Sequence, residues 1–99
     1  MNILQFDHIG IRVTDRKRAI DFYRGLGFEI LIEVDFDAVI IMKNASDVEI
    51  NLIVNGAGPI DGKNILMDVP EKHPGFTHVA LRVDSIVKTI GELQRLNIA

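Results

Sequence analysis

Two histidines at matching places in a repeated motif are the first candidates for chemistry in this chain. Residues 7–13 read DHIGIRV and residues 77–83 read THVALRV, so His8 and His78 are 70 positions apart in equivalent segments. In both segments the residue two positions further on is no larger than alanine, which leaves room beside the imidazole. If the two segments pair about a pseudo-twofold axis, both rings reach one cleft, and the pair predicts a divalent-metal site.

Two arginines accompany these histidines. Arg12 and Arg82 also lie 70 positions apart, and alternation along a strand places each on the same face as its histidine. They could clamp an anionic substrate, although a strand arginine more often lies at a rim and pairs with a carboxylate. A single strand histidine is likewise more often structural than a ligand. The occurrence of a histidine in both copies favours the site.

The composition excludes several other kinds of chemistry. There is no cysteine, which removes disulfides, thiolate metal sites and thiol nucleophiles. The net charge is −3, so the chain lacks the basic excess that nucleic-acid binding requires. Neither a signal peptide nor a long apolar segment is evident, so we expect a cytoplasmic protein with no membrane partner. The 47% hydrophobic content is that of an ordinary globular core.

The first half of the chain predicts a β-α-β-β-β order. In the strand predicted over residues 6–13, isoleucine and valine alternate with His8 and Arg12. A helix should begin at Thr14 or Asp15, which are good N-caps, and end at Gly27 in the left-handed conformation. Three further strands are predicted over residues 28–34, 38–43 and 48–54.

The second half repeats the beginning of the first. The repeated strand is followed by a helix that Asp84 or Ser85 can cap, and its apolar positions follow at helical spacing: Ile86, Ile90, Leu93 and Leu96. We therefore predict a single 1–99 domain of the α+β class made of duplicated βαβββ modules, with module one over 3–54, a connector over 55–76 and a partial module two over 77–99.

The second module is cut short after its helix. At an offset of 70, the counterparts of the three later strands would occupy positions 98–124. An unfinished module leaves backbone groups unpaired. We therefore expect either a shortened chain or a protomer completed by another chain, and a homodimer in either case.

The pattern resembles a known family. FDHIGIRVTDRKRAIDFYRGLGFEI, then VEINLIV, then GFTHVALRVD are similar to segments of the vicinal oxygen chelate superfamily, which includes glyoxalase I, bleomycin-resistance proteins and extradiol dioxygenases. The resemblance implies an open, strongly curved mixed sheet. In the metal-dependent members, ligands come from the first, fourth, fifth and last strands, and the first and fifth correspond here to His8 and His78.

The fourth strand departs from the glyoxalase pattern. The best register places Asn51 where the lyases carry glutamate, and Glu49 lies two residues earlier on the same face. Two interpretations follow. Glu49 is the metal ligand and the catalytic carboxylate, with Asn51 contacting substrate, or Glu49 lies at the cleft mouth and Asn51 forms hydrogen bonds there.

The resemblance implies two main classes of function, and the breadth of the family leaves open a third, a scaffold or regulatory domain whose histidines form internal hydrogen bonds. The first is an enzyme acting on a small molecule with vicinal oxygens, with a divalent metal (Fe, Ni, Co, Zn or Mn) held by His8 and His78. A carboxylate would complete the set, either from Glu49 or from the last strand, whose counterpart falls near position 119 or 121. Two histidines with one carboxylate are typical of iron dioxygenases, in which the fourth strand supplies no ligand and Asn51 causes no difficulty. Two histidines with two carboxylates are typical of isomerases and lyases that stabilise an enediolate, and Asn51 argues against that version. The second class is a metal-free small-molecule binding protein of the bleomycin-resistance type.

Overall fold

A computed structural model describes residues 1–58 and 62–98 of the chain. The chain divides into two units, Met1–Pro59 and Ile60–Ala99. The division between the units lies within the predicted connector over 55–76, of which residues 59–61 are outside the described part. In the described residues, no helix is long and apolar enough to span a membrane.

Four strands of the first unit form one mixed open sheet. They are β1 (Ile9–Arg12), β2 (Glu29–Val34), β3 (Val39–Lys43) and β4 (Glu49–Ile53), arranged in the order β1-β4-β3-β2. The first strand is parallel to β4, whereas β4 with β3 and β3 with β2 are antiparallel. Each strand lies within its predicted range, and the α+β class is confirmed.

One face of the sheet forms the core of this unit. The buried side chains alternate along β3 and β4 with partly exposed ones, as the twofold period of a strand requires. Six apolar side chains make the core: Ile20, Phe28, Ile40, Met42, Ile50 and Leu52. Each is worth roughly 1.5–3 kcal/mol on full burial. The opposite face therefore carries the residues that packing does not require.

Helix α1 (Arg16–Gly25) covers the core face. Its N-cap is Asp15, whose Oδ1 accepts a hydrogen bond of 3.0 Å from the backbone N–H of Arg18. At the other end Gly27 adopts φ +98°, and the backbone N–H of Phe28 donates to the Tyr23 carbonyl at 3.0 Å. The predicted start and end of this helix are confirmed.

The second unit contains α2 (Ile86–Arg95), with Ser85 as its N-cap. Its ends repeat those of α1 at an offset of 70: Asn97 adopts φ +58° where Gly27 adopts +98°. The backbone N–H of Ile98 donates to the Leu93 carbonyl at 2.8 Å, as Phe28 does in the first unit. The predicted second helix is therefore confirmed at both ends.

The predicted strand over residues 77–83 is not formed in the described part of the chain. A strand exists through hydrogen bonds to a partner, and the partner of β1 is β4. In the described residues of the second unit no partner strand for residues 77–83 is formed. Sequence similarity to β1 is therefore insufficient to make the segment a strand.

Candidate metal centre

The pairing of β1 with β4 brings His8 and Glu49 together. Ile9 lies opposite Ile50 in this parallel ladder, so the residues just before them are also neighbours. His8 Nδ1 lies 3.5 Å from Glu49 Oε2. Both side chains belong to the sheet face opposite the core. The sequence analysis identified both residues, and the tertiary structure supplies their proximity.

Asp7 is a third member that the sequence analysis missed. Its Oδ2 lies 2.7 Å from His8 Nδ1. Asp7, His8 and Glu49 each offer one ligand atom, and the three atoms lie within 4.8 Å of one another. The exposed fraction of the side chains falls from 85% for Asp7 through 43% for His8 to 16% for Glu49. The signal that could have identified Asp7 was its place beside a candidate ligand.

A lysine on β3 faces the same carboxylate. Lys43 is the ladder partner of Glu49, and its Nζ lies 3.9 Å from Glu49 Oε1. The two oxygens of Glu49 thus face two different basic groups, His8 and Lys43. At these distances the pairs are weak in a partly exposed setting. A divalent ion at this place would compete with Lys43 for the carboxylate.

Asn51 lies two residues further along β4 on the same face. Its Oδ1 is buried, and no hydrogen-bond partner for it is present in the described residues. An unsatisfied buried polar atom costs about 1–3 kcal/mol. Its neighbour in β1 is Gly10, where an added methyl group would meet only Ile53 Cδ1 at 3.6 Å. The Asn51 Oδ1 is therefore a buried acceptor that the described residues leave without a donor.

Apolar side chains continue this face away from the polar cluster. Ile41 is the ladder partner of Asn51, and Ile32 is the partner of Ile41 on β2. A register shift leaves Leu31 as an extra residue in β2, which is a β-bulge. Ile32 is 50% exposed. The face thus combines a row of ionisable groups with a neighbouring row that can contact apolar parts of a ligand.

The two arginines have different surroundings. Arg12 projects from the same face of β1, and its Nε donates a hydrogen bond of 3.2 Å to Asn55 Oδ1. Arg12 thus has a polar partner, as expected for a strand arginine at a rim, but that partner is an amide and not a carboxylate. Arg82 lies in the second unit and is exposed. Substrate binding by either arginine stays a prediction.

His78 also belongs to the second unit. It is exposed, and its Nδ1 lies 2.9 Å from Thr77 Oγ1. His8 and His78 belong to different units, and their convergence on one ion stays a prediction. The third histidine, His73, has its Nε2 3.5 Å from Glu71 Oε2.

The donor set of the first unit suits a divalent transition metal. One imidazole and two carboxylates are ligands that Fe, Mn, Co, Ni and Zn accept. Bond lengths of about 2.0–2.2 Å place neighbouring ligand atoms about 3 Å apart around one ion. One ligand atom each from Asp7, His8 and Glu49 lies within 4.8 Å of the others, so small side-chain movements could bring such donors to one ion. The residues present therefore fit such an ion.

The first unit is an α+β fold with one buried sheet face and a cluster of potential metal ligands on the other face. A family model described as Glyoxalase/Bleomycin resistance protein/Dioxygenase superfamily matches residues 7–99. The chain belongs to this superfamily, as its resemblance to the vicinal oxygen chelate proteins predicted. Comparisons with curated proteins and with solved structures gave no match.

Proposed function

We propose that this protein is a divalent-metal-dependent enzyme acting on a small molecule with two adjacent oxygens. The observation that carries the proposal is the cluster of ligand atoms from Asp7, His8 and Glu49 within 4.8 Å, on the sheet face that is not used for packing. Membership of the superfamily supports small-molecule chemistry in general. His8 and Glu49 would hold the ion, and His78 would complete the set.

Each residue of this face would have a separate role in binding the metal or the substrate. When bound, the ion acts as a Lewis acid on the substrate oxygens. Glu49, with a side chain only 16% exposed, supplies the least solvated carboxylate of the cluster. The Asn51 amide would bind a hydroxyl of the substrate, and Ile41 and Ile32 would contact its apolar part. Arg12 and Arg82 would attract an anionic group.

Metal analysis of the purified protein tests this proposal. The wild type should bind one divalent ion per active site, and His8→Ala should lower its affinity strongly because the central ligand is lost. His73→Ala is the matched control, since it removes an imidazole outside the cluster, and it should bind metal like the wild type. Equal metal binding by His8→Ala and the wild type would reject the proposal.

A metal-free binding protein is the second candidate. Its supporting observation is Asn51, which stands where lyases of the superfamily carry a carboxylate and whose Oδ1 is buried without a partner in the described residues. Together with Ile41 and Ile32, the amide would bind a ligand that combines a donor group with an apolar body. Tight binding of such a ligand after dialysis against a chelator, with no effect of added metal, would favour this function.

We further propose that the protein is a homodimer. In the second unit α2 has no buried side chain, and the exposed fractions of Ile86, Val87 and Ile90 are 67%, 82% and 51%. Apolar helix surfaces of this kind often mark an interface between proteins. Light scattering coupled to gel filtration should give twice the protomer mass, and a monomer at all concentrations would contradict the proposal.

A further inference from the structure

We propose that Asp7 is a positioning residue that selects which nitrogen of His8 is presented to a ligand. Its carboxylate would hold the Nδ1–H group, so that Nε2 carries the lone pair. For the role of that lone pair the inference rests on the proposed metal function. The hydrogen-bonding part concerns the protein alone.

The first step concerns the surroundings of His8 Nδ1. Asp7 Oδ2 lies 2.7 Å from this nitrogen and Glu49 Oε2 lies 3.5 Å from it. An ionised carboxylate is an acceptor only. The nitrogen between two acceptors therefore carries the hydrogen. In a neutral imidazole the other nitrogen, Nε2, is then the unprotonated one, and it is the atom able to bind a metal.

The second step comes from the repeat. Thr77 and His78 stand 70 positions after Asp7 and His8, and Thr77 Oγ1 lies 2.9 Å from His78 Nδ1. In both units the preceding side chain thus contacts the same ring nitrogen of the following histidine. A hydroxyl can donate or accept, whereas the Asp7 carboxylate can only accept. Asp7 therefore fixes the tautomer of its histidine more firmly than Thr77 does.

The third step separates positioning from direct ligation. Histidines that bind metals usually donate their other ring N–H to a carboxylate or carbonyl, which orients the ring and raises its basicity. The 2.7 Å contact of Asp7 with His8 already has this form. An ion bound between the Asp7 carboxylate and His8 Nδ1 would require this nitrogen to lose its hydrogen. The existing hydrogen bond favours the positioning role.

Nitrogen NMR of isotopically labelled histidine in the metal-free protein tests the inference, at a pH where the rings are neutral. We expect His8 with Nδ1 protonated. His73, whose Nε2 faces Glu71 at 3.5 Å, should have Nε2 protonated and serves as a reference in the same spectrum. Asp7→Ala should shift His8 towards the Nε2–H form that exposed histidines favour. Asp7→Asn, which keeps an acceptor oxygen, should restore much of the Nδ1–H form.

Two results would overturn the inference. One is a wild-type His8 that is mainly protonated on Nε2, and the other is an unchanged tautomer in Asp7→Ala. A Zn²⁺ titration adds a second readout. Asp7→Ala should lower the affinity about 10- to 100-fold, while Glu71→Gln, which removes a carboxylate beside His73, should not change it. If His8→Ala leaves metal binding unchanged, the proposed function fails, whereas the tautomer result stands on its own.

Discussion

Glu49 lies between two basic groups, and these groups compete with a metal ion for its carboxylate. One of its oxygens is 3.5 Å from His8 Nδ1 and the other is 3.9 Å from Lys43 Nζ. Only 16% of the Glu49 side chain is exposed, so an unpaired carboxylate at this place would carry a desolvation cost. The lysine therefore supplies the charge balance that a divalent ion would otherwise provide.

Removing that lysine should strengthen metal binding. In Lys43→Met the ion no longer competes with an ammonium group for Glu49, and we expect the affinity for Mn²⁺ or Zn²⁺ to rise by about fivefold, equivalent to about 1 kcal/mol for a partly exposed pair. Calorimetric titration would measure the change. Lys17→Met is the control, because Lys17 pairs with Asp21 on α1. Weaker binding by Lys43→Met would contradict the prediction.

The orphaned amide of Asn51 should cost stability. Asn51→Leu replaces a buried unsatisfied oxygen by an apolar group of similar size, so the free energy of unfolding should rise by about 1 kcal/mol. Asn44→Leu is the matched control with the opposite sign. Asn44 Oδ1 accepts hydrogen bonds from the backbone of Ser46 and Val48 at 3.0 and 2.9 Å. Urea denaturation of both variants would check the prediction, and a loss of stability in Asn51→Leu would contradict it.

At the scale of the elements, the two helices end in the same way with different residues. Gly27 and Asn97 both adopt positive φ, and an added methyl group at Gly27 would have no described atom within 4 Å. Gly27→Ala should therefore lower the free energy of unfolding by about 1–2 kcal/mol through backbone strain alone. Asn97→Gly should leave stability equal or slightly higher. Chemical denaturation would measure both, and a neutral Gly27→Ala would contradict the prediction.

The packing of α1 on the sheet can be followed through its tyrosine. Tyr23 lies edge-on to Phe22 and Phe28, with ring centroids 5.1 and 6.0 Å away. Burial raises the pKa of its phenol above the ordinary value of about 10. Between the unfolded-state pKa and the raised folded-state pKa, the folded protein keeps the phenol proton and the unfolded chain has lost it. The free energy of unfolding should therefore be constant below about pH 10 and fall as the pH rises further.

The chain contains one tyrosine and no tryptophan, so the absorbance of the phenolate reports Tyr23 directly. The midpoint of the absorbance change with pH should lie above about 10 in the native protein and return to the ordinary value in denaturant. Tyr23→Phe should reduce the fall in stability at high pH. A native midpoint equal to the denatured one would show that the ring is not buried against the sheet.

At the scale of the whole molecule, the proposed ligand set includes His78 of the second unit. If His78 shares an ion with His8, then His78→Ala should lower metal affinity by a factor comparable to that of His8→Ala. The exposed His73 again provides the control. Competition titrations with a chromophoric chelator would measure the three variants. Wild-type affinity in His78→Ala would confine the metal centre to the first unit.

Local structure was predictable residue by residue. The cap at Asp15, the left-handed residue at Gly27 and the locations of the first four strands follow from neighbouring residues, and the structure confirms them. The strand over 77–83 was wrong, because a strand depends on hydrogen bonds to a distant partner that similarity to β1 cannot supply.

The sequence by itself determined the class of fold, the family and the candidates His8, Glu49 and Asn51, because periodicity and residue type are local properties. The tertiary structure alone decided that His8 and Glu49 are neighbours, that Asp7 joins them, and that the Asn51 oxygen has no partner in the described residues. These facts depend on the register between β1 and β4, where a shift of one residue would turn every side chain to the other face.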